Sequence, residues 1–177
     1  MMTPSELKAL VRTIPDWPSQ GIQFRDITTL IAHGEGLKAS IAHLAARAAG
    51  AQAIAGMEAR GFIFGAAVAA ELGIGFVPVR KPGKLPMRTI GIDYALEYGA
   101  DRLEMDPEAV ADGQQVVLVD DLIATGGTAC AAAKLLREAS ARVEAAAFVI
   151  DLPELGGADA LRALGVDVHT VMEFEGG

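Results

Sequence analysis

Apolar positions along the chain fall into short continuous runs and longer sets at helical spacing, and the two kinds alternate from residue 37 onward. Leu7, Leu10 and Val11 predict a helix over 4–13, capped by Thr3 or Ser5 and broken by Ile14-Pro15-Asp16-Trp17-Pro18. The next stretch, 21–27, mixes a turn glycine with Phe24 and an adjacent Arg25-Asp26 pair, and reads as an irregular lead into a strand with Phe24 in the core beside a solvated ion pair. Leu37, Ile41, Leu44 and Ala48 share one helical face. Residues 51–57 suit a buried strand, 61–72 a helix and 76–79 another strand. Residues 89–104 alternate loosely around Gly99, as a hairpin would. Val116 to Val119 is apolar without alternation, the pattern of a strand covered on both faces. A helix over 129–139, a strand over 144–152, a helix over 157–164 and a strand over 166–174 complete an α/β alternation with a mostly parallel sheet flanked by helices.

The run over 116–128 changes this from a fold to a chemistry. A strand seeking burial finishes in Asp120-Asp121, which delivers two negative charges to the carboxyl edge of a sheet, where ligands of open α/β folds bind. Such a pair suits hydroxyl donors or a hydrated metal ion. Ala124-Thr125-Gly126-Gly127-Thr128 then supplies small residues and hydroxyls ahead of a helix, and backbone N–H groups so placed can cradle a phosphate. It is no Walker loop, because no lysine follows the glycines, and it lacks GxGxxG spacing. A second strand-to-helix turn carries Glu58-Ala59-Arg60-Gly61, where an arginine beside a glycine can offer a planar fork to a phosphate; pairing of Arg60 with Glu58 on the surface is the plainer alternative.

Composition and charge narrow the class. With 177 residues, 51% of them hydrophobic, the chain can bury one substantial core, and no linker divides it. The net charge of −8 argues against a nucleic-acid-binding surface. Between Arg60 and Arg88, however, five basic residues stand against Glu71 alone, so a small anion could be gathered there. The 61–72 run is too short to cross a bilayer, and no signal-peptide pattern opens the chain, so a membrane role is not expected. The single cysteine, Cys130, excludes an internal disulfide framework and suits a reducing cytoplasm. His33, His43 and His169 have no metal-ligand spacing and read as structural.

The run over 116–128 resembles the phosphoribosyl pyrophosphate signature of type I phosphoribosyltransferases. Four further stretches are similar to adenine phosphoribosyltransferases in the same order: 21–28, 58–62, the basic string 80–86 and Tyr94-Ala95-Leu96-Glu97-Tyr98-Gly99. The resemblance implies a type I phosphoribosyltransferase-like domain over 1–177, with a small N-terminal base-binding hood over 1–30 and a mobile catalytic loop and hairpin over 80–104. It implies transfer of 5-phosphoribosyl from phosphoribosyl pyrophosphate to adenine, giving AMP and pyrophosphate, with Mg2+ held mainly by substrate and water near Asp120 and Asp121, and a homodimer. By the same resemblance, Asp120 and Asp121 face the ribose hydroxyls, and Ala124, Thr125, Gly126, Gly127 and Thr128 hold the 5-phosphate. Arg60, Lys81 and Lys84 meet the pyrophosphate. Phe24 stacks on the purine opposite Leu152, the backbone at Gln23 and Arg25 reads the base edge, and Glu97, at the hairpin tip, handles the imidazole proton. Two rivals are weighed against this reading: an enzyme for another purine, such as xanthine or guanine, and a non-catalytic ligand-sensing regulator of the same fold. Phe24-Arg25-Asp26 opposes the first; the basic loop and acidic pair oppose the second.

Overall fold

The structure is a computed structural model that describes residues 1–96 and 99–176. Its centre is a five-stranded sheet in the order β4-β3-β7-β8-β9, parallel throughout, built from β3 (Ala53–Met57), β4 (Gly75–Val79), β7 (Gln115–Ile123), β8 (Arg142–Asp151) and β9 (Asp167–Glu173). From β3 the chain crosses through α4 (Arg60–Leu72) to β4 on one side. From β7 it runs the other way, through α5 (Gly127–Glu138) to β8 and α6 (Gly157–Arg162) to β9. The winding therefore reverses between β3 and β7, and a crevice opens beyond their carboxyl ends, the usual ligand position in an open α/β sheet.

Both faces of the sheet are covered, as the unbroken apolar runs require. On one face Ile54, Val117, Val119 and Val149 pack with Leu7 of α1 (Pro4–Leu10), Leu30 of α2 (Thr28–Ile31), Leu44 of α3 (Gly34–Arg47) and Phe64 of α4. On the other, Ala55, Val77, Leu118 and Phe148 pack with Ala132, Leu135 and Leu136 of α5 and Leu161 of α6. The hairpin of β5 (Ile90–Leu96) and β6 (Gly99–Met105) is antiparallel and roots itself in this second core through Leu103 and Met105, both fully buried.

Near the N-terminus the structure departs from the spacing-based reading. The helix expected over 4–13 ends at Leu10, and Arg12–Pro15 is β1, paired antiparallel with β2 (Gln23–Asp26). Thr3 closes a reciprocal capping box with Glu6, whereas Val11 is already extended (φ −82°, ψ 123°). Arg25 and Asp26 are not an ion pair: successive strand residues point to opposite faces, and the register sets Asp26 against Arg12, whose Nε donates to Asp26 Oδ2 at 3.0 Å. The three histidines have structural partners: His33 caps α3 through Gly36 N–H at 3.1 Å, His43 Nε2 lies 2.9 Å from the Met2 carbonyl, and His169 meets Asp167 at 2.9 Å.

Candidate active site

Three connections meet at the crevice. Met57 to Arg60, Lys81 and the stretch from Asp120 to Ala129 line an open cleft of about 270 Å³. Asp120 and Asp121 do not end their strand, as the apolar pattern suggests. β7 continues to Ile123, because Leu122 pairs with Ile150 and Ile123 with Asp151 of β8. The acidic pair therefore has strand geometry, with its two side chains on opposite faces.

That geometry gives the two carboxylates different company. Asp121 is 4% exposed and pairs with Arg60, whose Nε lies 2.8 Å from Asp121 Oδ2; Arg60 does not pair with Glu58. Asp120 Oδ1 accepts the Asp121 N–H at 2.8 Å. A Cβ on Gly61 would come within 2.8 Å of that same oxygen, so the close approach allowed by this glycine is to Asp120. Burial, and then the neighbouring Asp121 charge, push the Asp120 carboxyl well above the usual carboxylate range. The crevice thus holds one carboxylate matched to a guanidinium and one whose charge is disfavoured by burial and by its acidic neighbour, instead of two equal charges.

Two helix N-termini converge here. The first N–H groups of any helix lack intrahelical partners, and α1 and α3 satisfy theirs with Thr3 and His33. At α4 and α5 the cap residues are Ala59 and Gly126, and neither makes a side-chain cap. These starts remain available to an anion, favoured also by the helix dipoles. Gly126 adopts φ +85°, a left-handed conformation that favours glycine, and turns the chain from β7 into α5. At Gly127 an added Cβ would meet only ordinary contacts, the nearest being Ala95 O at 3.6 Å, so packing does not demand glycine there. The turn from β3 to α4 contains a cis Glu58–Ala59 peptide.

The basic string after β4 is tied to this cleft. Glu58 Oε2 accepts the Lys81 N–H at 3.0 Å and the Arg80 Nε at 3.2 Å. The Lys81 contact, against the cost of burial and with help from Arg80, holds the Glu58 carboxyl below its ordinary value. The Lys81 ammonium reaches Asp101 and the Tyr94 hydroxyl, and Thr128 Oγ1 donates to Tyr94 at 3.3 Å. Burial works against the Lys81 charge, yet the Asp101 and Tyr94 hydrogen bonds outweigh it and raise its pKa. Glu58 and Tyr94 fall in stretches matched above and Asp101 in the hairpin, but the sequence assigns none of them a role, because they meet Arg80, Lys81 and Thr128 only through the β3–β4 and β5–β6 pairings.

Of the residues expected from sequence, the structure brings Arg60, Lys81, Asp120, Asp121, Ala124, Thr125, Gly126, Gly127 and Thr128 together in the cleft. Lys84 lies outside this lining; its carbonyl accepts from Arg80 at 3.3 Å. Gln23, Phe24 and Arg25 stand on β2, apart from the cleft, with Phe24 edge-on to Trp17 at 4.9 Å between ring centroids. The Arg25 guanidinium donates to Thr13 Oγ1 and the Glu175 carbonyl and lies over the Phe174 ring. Leu152 is buried, and its N–H donates to Ile123 O at 3.1 Å, next to the start of the cradle. Glu97 and Tyr98 lie outside the described residues. Among the described residues, no group of three or more His, Cys, Asp or Glu is placed to hold a metal ion, and no helix is long and apolar enough to cross a membrane.

Comparison with known proteins is consistent along the whole chain. Residues 28–167 match the phosphoribosyl transferase domain. The adenine phosphoribosyltransferase of Novosphingobium aromaticivorans is 73% identical over 99% of this chain and 99% of its own, and that of Erythrobacter litoralis 72% identical over the same shares. Among solved structures, adenine phosphoribosyltransferase from Thermoanaerobacter pseudethanolicus superposes with a TM-score of 0.92 at 46% identity, covering 97% of this chain and 100% of that one. The Saccharomyces cerevisiae enzyme, solved with adenine and an imino-altritol bisphosphate, gives 0.88 at 37% identity, over 96% and 98% of the two chains. A reversed parallel sheet with an acidic pair and two open helix starts at its switch point, in a chain with these relatives, places the protein in the phosphoribosyltransferase family, among the adenine phosphoribosyltransferases.

Proposed function

We infer that the chain transfers the 5-phosphoribosyl group of phosphoribosyl pyrophosphate to adenine, giving AMP and pyrophosphate, a step of purine salvage. The observation that carries this reading is the convergence on one cleft of the acidic pair and two helix starts without side-chain caps. In the reaction N9 of adenine bonds to C1 of the ribose while the C1–O bond breaks. The bonding electron pair leaves with pyrophosphate, and the imidazole ring of the base gives up its proton.

Each part of the cleft suits one part of this exchange. The α5 start and the hydroxyls of Thr125 and Thr128 hold the 5-phosphate. Asp120 and Asp121 accept hydrogen bonds from the ribose hydroxyls and set a negative field beside C1 as it becomes cationic. Arg60 and Lys81, with Lys84 brought in by the loop, meet the pyrophosphate. Phe24 and Leu152 sandwich the base while main-chain groups at Gln23 and Arg25 read its edge, and Glu97 takes the ring proton; these base-side roles rest on the family resemblance. The oxygen donors of Asp120 and Asp121, one of them reluctant to ionise alone, fit Mg2+ held mainly by substrate and water, which supplies charge neutralisation at the pyrophosphate. We place the reaction in the cytoplasm, on the lone cysteine, and in a homodimer, on the family likeness.

The test is product analysis with phosphoribosyl pyrophosphate, magnesium and adenine. AMP and pyrophosphate are expected in equal amounts, and Asp120→Asn combined with Asp121→Asn should lower turnover by about a hundredfold or more. Melting should fall only modestly, by about the 1 to 3 kcal/mol of the lost Asp121–Arg60 pair, because these changes open no cavity. Near-normal AMP formation by the double variant would overturn the role given to the pair.

A further inference from the structure

The contacts of Lys81 assign a role to a residue on the hairpin. Its ammonium carries three N–H donors. One goes to the Tyr94 hydroxyl at 3.3 Å and one to Asp101 Oδ2. Tyr94 in turn donates to Asp101 Oδ2 at 3.1 Å and accepts from Thr128 Oγ1 at 3.3 Å. The other Asp101 oxygen accepts the Arg102 N–H at 2.8 Å, so the carboxylate is fixed from both ends. Tyr94 and Asp101 face each other in the β5–β6 register, and Leu103 and Met105 anchor the same strand in the core. Lys81 nevertheless lines the cleft.

This is more than a surface ion pair, which is worth little because two long side chains must be ordered for one screened contact. Here a half-buried ammonium is tied to a core-anchored strand and, through one phenol, to the first turn of the phosphate cradle. Two of its donors are spent on positioning, and the third is left for an anion in the cleft. Lys84, three residues on, has no such anchor and stands outside the lining.

We propose that Asp101 is a positioning residue that, together with Tyr94, fixes the Lys81 ammonium at the mouth of the cradle, where its remaining donor meets the pyrophosphate. The proposal rests on the reading that Lys81 meets the pyrophosphate, and the experiment separates the two. Initial rates of AMP formation, with phosphoribosyl pyrophosphate and adenine varied in turn, are compared for wild type, Asp101→Ala, Asp101→Asn, Lys81→Ala and the Asp101→Ala/Lys81→Ala double variant. Asp101→Ala should lower kcat/KM for phosphoribosyl pyrophosphate by about 10- to 100-fold, the scale of a misplaced reacting group, with the KM for adenine unchanged. Asp101→Asn, which keeps the shape of the side chain and safeguards folding, should fall in the same direction. In the Lys81→Ala background, loss of Asp101 should cost nothing further. Asp93→Asn, on the same hairpin but paired with Arg102, should behave as wild type. Equal costs for Asp101→Ala with and without Lys81, or normal kinetics for both Asp101 variants beside an impaired Lys81→Ala, would overturn the positioning role. A kinetically silent Lys81→Ala would instead overturn the reading of Lys81, and the proposal with it.

Discussion

Asp26 is buried and Asp120 partly buried, and their surroundings push the two carboxyls in opposite directions. Asp26 accepts from the Thr28 hydroxyl at 2.6 Å, the Thr28 N–H at 3.0 Å and Arg12, and these bonds, the Thr28 hydroxyl foremost, hold its pKa at about 2. A carboxyl whose folded pKa is depressed contributes stability that is complete above its ordinary value and disappears as pH falls through the folded one. Asp26→Asn should therefore destabilise the protein by roughly 1 to 3 kcal/mol near neutrality, the range for lost hydrogen bonds to a charged group. The gap from wild type should narrow as pH drops from about 4 toward 2, which denaturant midpoints across that window would check. The acidic pair of the cleft was legible as a motif, but the partners of these aspartates were not. Adjacency suggested Arg25 for Asp26 and Glu58 for Arg60, whereas strand alternation and cross-strand register supply Arg12 and Asp121.

At the scale of elements, the continuous apolar runs located β3, β4, β7, β8 and β9 because a strand covered on both faces leaves no other pattern. Ends were harder to read. Helical spacing over 4–13 could not show that the chain turns extended at Val11, since Leu7 and Val11 are buried in either conformation. Nor could the aspartates show that β7 runs on past them, because that depends on pairing with β8. Gly157, read as the start of a helix, has a further duty: a Cβ there would lie 2.3 Å from Ala124 O and 2.7 Å from Gly126 N, and its own N–H donates to Ala124 O at 3.0 Å. The start of α6 thus buttresses the cradle. Gly157→Ala should cost about 1 to 3 kcal/mol from overpacking and raise the KM for phosphoribosyl pyrophosphate more than that for adenine. Gly34→Ala, where the added methyl meets nothing within 4 Å, is the control. Thermal melting with substrate-dependence kinetics would separate the two variants.

Over the whole molecule, strand-helix alternation made an α/β fold with a parallel sheet readable, but the strand order was not, because it depends on which side of β3 each crossover takes. That order makes the site: β3 and β7 lie side by side although 57 and 115 bound their facing ends in sequence, and Arg60, Lys81 and Asp120 to Thr128 come together in consequence. The segment proposed to bind the base stands outside the central sheet, since β1 and β2 form their own two-stranded sheet. Adenine offers a 6-amino donor beside a ring acceptor, whereas hypoxanthine and guanine offer a 6-oxo acceptor beside a ring N–H. Main-chain groups of the Gln23-to-Arg25 segment that pair with the first pattern would oppose donor to donor and acceptor to acceptor with the second, at about 1 to 3 kcal/mol for each mispaired group. The direct measurement is kcat/KM for adenine, hypoxanthine and guanine on one preparation at saturating phosphoribosyl pyrophosphate and magnesium. Adenine should be preferred by roughly a hundredfold or more; comparable efficiency with all three bases would contradict adenine as the substrate this chain selects.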